Sequence, residues 1–177
     1  MFNNNFIKNK IRTIPNFPKQ GVMFRDITTL LKDREGFKET IDVLYNKYKS
    51  EKIDVVAGIE SRGFIIGGAL AYKLGTGFVP IRKKGKLPHA VHQEEYDLEY
   101  GKDVIEMHLD AIKEGDNVLL VDDLIATGGT AKAACKLIEK AGGKVVDCAF
   151  VVELPYLKGR EKLKPWNAFA LVEFDGE

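Results

Sequence analysis

The stretch "NVLLVDDLIATGGTAKAA", Asn117 to Ala134, decides the fold. Its apolar run, Val118 to Val121, has the continuous hydrophobicity of a strand buried on both faces. Asp122 and Asp123 close that run side by side. A turn of small residues follows, Ala126 to Thr130, and then a helix-like segment that Gly142 and Gly143 stop. The pattern is strand, turn, helix.

Small residues let backbone N–H groups approach an anion closely, and Gly128 and Gly129 can take the positive φ of a tight cradle. The helix that follows aims its free amides and its positive end at the same spot. Thr127 and Thr130 add hydroxyl donors, so the loop suits a phosphate monoester. Neither the triphosphate loop G-x-x-x-x-G-K-[ST] nor the dinucleotide fingerprint G-x-G-x-x-G is present. Taken alone, "TGGT" reads more readily as a plain strand-turn-helix junction.

The two aspartates add information. Consecutive strand residues point to opposite faces, which argues against Asp122 and Asp123 sharing one metal ion. At the end of a strand, however, both carboxylates can lean over the sheet and accept hydrogen bonds from hydroxyl groups. A ligand with a phosphate at one end and vicinal hydroxyls nearby satisfies loop and acids together. Ribose 5-phosphate is such a ligand.

Outward from this stretch the same alternation recurs. "IDVVAGI" (Ile53 to Ile59), "GFVPIR" (Gly77 to Arg82) and "KVVDCAFVVE" (Lys144 to Glu153) read as buried strands. "REGFKETIDVLYNKYKSEK" places Phe37, Ile41, Leu44, Tyr45 and Tyr48 on one helical face, and "GFIIGGALAYKL" suits a buried helix. In "DVIEMHLDA", Ile105, Met107 and Leu109 alternate with polar residues, as in a half-exposed strand. The polar stretch from Lys83 to Asp103 reads as irregular and is much longer than an ordinary connection, as functional lids or disordered segments are. The expected class is α/β, a mostly parallel twisted sheet flanked by helices, in which ligands bind beyond the carboxyl ends of the strands. "ESRG" (Glu60 to Gly63), "RKKGK" (Arg82 to Lys86) and "DDLIATGGT" all fall at such ends.

Composition sets outer limits. A chain of 177 residues without repeats or linkers makes one domain, 1–177. With 27 basic against 26 acidic residues it has no basic excess to draw nucleic acid or membrane. Cys135 and Cys148 read as reduced core residues, and two cysteines cannot build a cysteine zinc site. His89 and His92 lack a third ligand for a metal. No signal peptide or membrane span stands out, so a cytoplasmic protein is expected.

"VLLVDDLIATGGT" resembles the signature of the type I phosphoribosyltransferases. With "IPNFPKQGVMFRDITTLLKD", "GIESRGFIIGGALA", "VPIRKKGKLP", "YDLEYGKD" and "ELPYLKGREKL", the resemblance runs from about Ile11 to Leu163 and is to the adenine-specific members. It implies the type I fold with a small hood, formed with help from residues 1–30 and 154–177, and a flexible loop. It implies a homodimer that turns adenine and phosphoribosyl pyrophosphate into AMP and pyrophosphate. Mg²⁺ would be held mainly by the substrate's pyrophosphate, with no protein residue assigned as a metal ligand.

Residue roles follow from the same resemblance. Asp122 and Asp123 would face the ribose, and Ala126, Thr127, Gly128, Gly129 and Thr130 would hold the 5-phosphate. Ser61, Arg62 and Gly63 would bind pyrophosphate, although family members often carry aspartate where Glu60 stands. Arg82, Lys83 and Lys86 would reach the same group. Glu99 would be the acid/base near N7 of adenine, with Tyr100 helping to close the loop. Phe24 would stack on the base, the main chain of Met23 and Arg25 would read its edge, and Leu154 would close the opposite side. Gly159 and Arg160 would shape the hood. The rival readings are a transferase for hypoxanthine, guanine or xanthine, a regulator that senses phosphoribosyl pyrophosphate without turnover, and an interaction module without a ligand.

Overall fold

The computed structural model describes residues 4–97 and 101–176. Helix α1 (Asn4–Lys8) leads into strands β1 (Arg12–Pro15) and β2 (Met23–Asp26), which pair only with each other. Then come α2 (Thr28–Lys32), α3 (Arg34–Tyr48), β3 (Val55–Ile59), α4 (Arg62–Leu74), β4 (Gly77–Lys83), β5 (Val91–Asp97) and β6 (Lys102–His108). The chain continues with β7 (Asn117–Ile125), α5 (Gly129–Lys140), β8 (Lys144–Glu153), α6 (Gly159–Lys162) and β9 (Ala168–Glu173). The large sheet has the order β5-β6-β4-β3-β7-β8-β9. Its pairs from β4 to β9 across β3, β7 and β8 are parallel, while β6 joins β4 and β5 antiparallel.

Local chemistry explains the helix ends. Asp33 caps α3 by accepting from the Gly36 N–H at 2.8 Å, and Ile41, Leu44 and Tyr48 of that helix are buried. Gly75 ends α4 in the left-handed conformation, φ +72°, that a side chain would resist. The apolar runs behave as read: every residue of β3 is buried, and Val118 to Val121 of β7 are fully so. Truncating one of them, such as Leu120→Ala, costs about 2–5 kcal/mol. Cys135 and Cys148 are free thiols in this core, their sulfurs 3.4 Å apart.

The register places the site. β3 pairs with β7 from Val55↔Val118 to Gly58↔Val121 and stops there. β7 continues along β8 as far as Ile125↔Glu153. Asp122 and Asp123 therefore emerge beside the end of β3. The connections from β3 lead to β4 on one side and β7 lies on the other, so this gap is the switch point of the sheet.

One expectation changes. Within the polar stretch, residues 91–97 and 102–103 are not irregular, because they belong to β5 and the start of β6, which pair antiparallel. The inward positions of β5, His92, Glu94 and Tyr96, are polar, so no apolar alternation revealed the strand. The C-terminal segment reaches both β2 and the large sheet: the Arg25 guanidinium lies 4.4 Å from the centre of the Phe174 ring. β9 joins the large sheet beside β8, and Gly159 packs against the loop after β7. The separate β1-β2 pair is held by Asp26, which accepts from Arg12 Nε at 3.1 Å and from the Thr28 N–H at 2.9 Å. The Arg12 bond, against some desolvation, lowers the Asp26 carboxyl to about 2.

Candidate functional site

Two adjoining cavities lie over the carboxyl ends of β3 and β7. The smaller, of about 110 Å³, is lined by Asp122 and the loop residues from Ala126 to Thr130. Gly128 has φ +75° at the start of α5, and a Cβ there would run into the carbonyl of Gly159. Gly159 in turn lies against the carbonyl of Ala126 and the N–H of Gly128. Two glycine backbones thus meet face to face behind the loop. Gly159 backs this loop, and Arg160 Nε lies 2.7 Å from both carboxylate oxygens of Glu153.

The larger cavity, of about 560 Å³, is lined by Glu60, Ser61, Arg62, Lys83, Asp122, Asp123 and Thr130 among others. Asp122 and Thr130 border both cavities, so one ligand can span them. Burial first, and the charge of Asp123 second, hold the Asp122 carboxyl well above the ordinary carboxylate range. Asp123 instead accepts a hydrogen bond from Arg62 Nε. Burial works against the Arg62 charge, but Asp123, Asp122 and Asp26 outweigh it and raise its pKa.

Most expected residues come together here, with differences in detail. Gly63 does not line the cavity. A Cβ at that position would sit 3.0 Å from both the Asp122 carboxylate and the Val121 carbonyl, so its glycine lets α4 approach β7. Of the three basic residues, Lys83 reaches the cavity, paired with Asp103 at 3.1 Å. Arg82 and Lys86 gather instead round Glu60, at 2.7 and 3.6 Å. Burial opposes the Glu60 charge, yet Arg82, the Lys83 N–H and Lys86 hold its carboxyl below the ordinary range. Phe24 belongs to neither core cluster. Its ring meets Phe17 edge-on at 5.1 Å, and the Arg62 guanidinium lies 5.8 Å from its centre. Met23 and Arg25 flank it on β2, and Leu154 is buried after β8. Glu99 and Tyr100 lie outside the described residues.

Tyr96 and Asp103 line the larger cavity and were not singled out from the sequence. Only the hairpin register, in which they stand opposite each other, brings them there. Among the described residues no cluster of three or more His, Cys, Asp or Glu could hold a metal. Nor is any helix among them long and apolar enough to cross a membrane.

A crevice at the switch point of a parallel sheet, with an anion loop at one end and fixed cations at the other, defines a class that grips phosphorylated sugars. Residues 26–175 match the model of the phosphoribosyl transferase domain. The adenine phosphoribosyltransferase of Nitrosospira multiformis is 61% identical over 172 residues, spanning 96% of this chain and 98% of that protein. The structure of the adenine phosphoribosyltransferase of Thermoanaerobacter pseudethanolicus superposes with a TM-score of 0.94 at 48% identity, covering 97% of this chain and all of that one. That of Saccharomyces cerevisiae, complexed with an imino-altritol bisphosphate and adenine, gives 0.90 at 42% identity, covering 96% and 98%. The chain belongs to the phosphoribosyltransferase family. Within it, identity and coverage place the chain in the adenine phosphoribosyltransferase group.

Proposed function

We propose that the chain converts adenine and phosphoribosyl pyrophosphate to AMP and pyrophosphate in purine salvage. The observation that carries this reading is the pair of adjoining cavities, with loop, acids and cations in the order of phosphate, ribose and pyrophosphate.

The loop amides from Ala126 to Thr130 bind the 5-phosphate, helped by the start of α5. Asp122 and Asp123 face the ribose hydroxyls, and the Asp123 carboxylate favours the positive charge that develops at C1. Ser61, Arg62 and Lys83 face the pyrophosphate, with Arg82 and Lys86 close behind. The Arg62 side chain is 41% exposed on the cavity side, so its guanidinium can meet pyrophosphate while it stays beside Asp123. Phe24 supplies the flat wall for adenine, with Met23, Arg25 and Leu154 around it. Glu99 moves the proton at N7, and Tyr100 helps exclude water from C1.

A Mg²⁺ ion fits this donor set. It takes one or two carboxylates plus substrate oxygens and keeps several waters. Glu60, Asp103, Asp122 and Asp123 line the cavity, so carboxylate oxygens are at hand, while the ion would be held mainly by the oxygens of the substrate's pyrophosphate. When bound, the ion neutralises charge on the leaving group. Ile65 and Tyr72, both exposed and two turns apart on α4, offer an apolar face for a second copy, consistent with a homodimer in the cytoplasm.

The test is direct: incubate the protein with Mg²⁺, phosphoribosyl pyrophosphate and one of adenine, hypoxanthine, guanine or xanthine. AMP and pyrophosphate in equal amounts, from adenine above the other bases, is the expected product. No AMP would refute the reading, and dominant IMP or GMP would transfer it to another purine.

A further inference from the structure

Strands β1 and β2 pair only with each other, so side chains must fix where they stand against the large sheet. Consecutive strand residues face opposite ways. The Phe24 ring meets the Arg62 guanidinium, and the next side chain, Arg25, leaves by the other face of β2. There Arg25 Nη1 donates to Thr13 Oγ1 of the facing strand at 2.6 Å, and Nη2 lies 3.5 Å from the Gly176 carbonyl. Arg25 Nε is shielded from solvent and has no hydrogen-bond partner among the described residues. What the guanidinium does meet is the Phe174 ring, whose centre is 4.4 Å away. Lys8 Nζ of α1 lies 4.9 Å from the same centre. A π face attracts a cation, so the ring ties β2 and α1 to the end of β9.

Phe174 is itself held by main chain. Its N–H donates to the Glu153 carbonyl at 3.0 Å, directly before Leu154, and the Leu154 N–H donates to the Ile125 carbonyl at 3.0 Å. Leu154 and the ring that holds β2 thus share one strand end, while Arg25 follows directly on Phe24. We propose that Phe174 is a positioning residue for the adenine slot: through its contact with Arg25 it fixes the gap between Phe24 and Leu154. The proposal rests on the reading of Phe24 and Leu154 as the two sides of the base. Phe174 touches no substrate in this account. It differs from a packing role, because packing asks only for apolar volume and the Arg25 contact asks for a π face.

Phe174→Leu keeps an apolar side chain and removes that face. The KM for adenine should rise about fivefold, the equivalent of one cation–π contact of ~1 kcal/mol, while the KM for phosphoribosyl pyrophosphate stays within about twofold. Phe174→Tyr should restore the wild-type value. Arg25→Met removes the cation and keeps the main chain, so it should raise the adenine KM by a similar factor. Phe174→Leu should then add nothing in that background. An unchanged adenine KM in Phe174→Leu, an equal rise in both KM values, or a full further rise on top of Arg25→Met would overturn the proposal. If the wild type makes AMP and Phe174→Leu shows no split, the positioning role alone fails. If the wild type prefers another purine and the split appears with that base, the positioning role stands and the adenine assignment fails. A wild type that turns over no base overturns both.

Discussion

The phosphate loop and the β5-β6 hairpin face each other across one cavity, and they are built by opposite means. The loop is made of backbone: Gly128 at φ +75°, Gly159 pressed behind it, and amides at the start of a twelve-residue helix. Around the hairpin's own ladder the contacts are made by side chains: Glu106 with the Gly85 N–H, Glu94 with Lys136 of α5, and Tyr96 with Asp103. A backbone site keeps one shape, whereas a side-chain latch can exchange partners at small cost. The fixed half therefore suits the part of a ligand that reaction leaves unchanged, and the exchangeable half the part that is made and broken.

Substitutions can break or sharpen this contrast. The largest effect belongs to Gly128→Val, which forces a left-handed conformation and a clash with the Gly159 carbonyl. Stability should fall by about 2–3 kcal/mol, roughly 5–10 °C in Tm, and kcat/KM by on the order of 100-fold. A smaller effect is expected from Glu106→Ala. Buried Glu106 accepts from the Gly85 N–H and from Gln93 Nε2, both at 2.9 Å, and its loss strands those donors. The cost is about 1–3 kcal/mol by urea unfolding. Hydrogen exchange should rise in β5 and β6 while α5 stays protected; equal loss of protection in both would erase the distinction between the two regions.

A control lies outside both regions. The Asp26 carboxyl is lowered from 3.8 to about 2 by Arg12, so its contribution is complete above pH 3.8 and is lost as pH falls through about 2. Asp26→Asn should flatten the drop in urea stability across that window and leave the phosphate loop unaffected. The smallest effect belongs to Lys136→Ala, which removes the exposed pair with Glu94. It should cost no more than about 0.5 kcal/mol. A larger loss would mean that this contact, rather than the hairpin's own ladder, anchors the strand.

The same contrast explains what the sequence could disclose. The apolar run that Asp122 and Asp123 close, the glycines of the loop and the Arg62 turn are local patterns, each with its meaning inside a dozen residues. Their meeting at one switch point follows from the alternation of strands and helices. Tyr96 and Asp103 were silent because their meeting at the cavity depends on the register between β5 and β6. Gly159 was assigned to the hood for the same reason: nothing in "LKGREK" says that its backbone will face Gly128. Arg82 and Lys86 looked like free cations, and only the fold reveals that Glu60 already engages them.

The central claim is that loop and acids hold opposite ends of one sugar phosphate. Calorimetry with inorganic phosphate, ribose and ribose 5-phosphate tests it most directly. Ribose 5-phosphate should bind more tightly than either part, and replacing both Asp122 and Asp123 by asparagine should reduce it to the level of inorganic phosphate. Equal affinity for ribose 5-phosphate and inorganic phosphate in the wild-type protein would contradict the account.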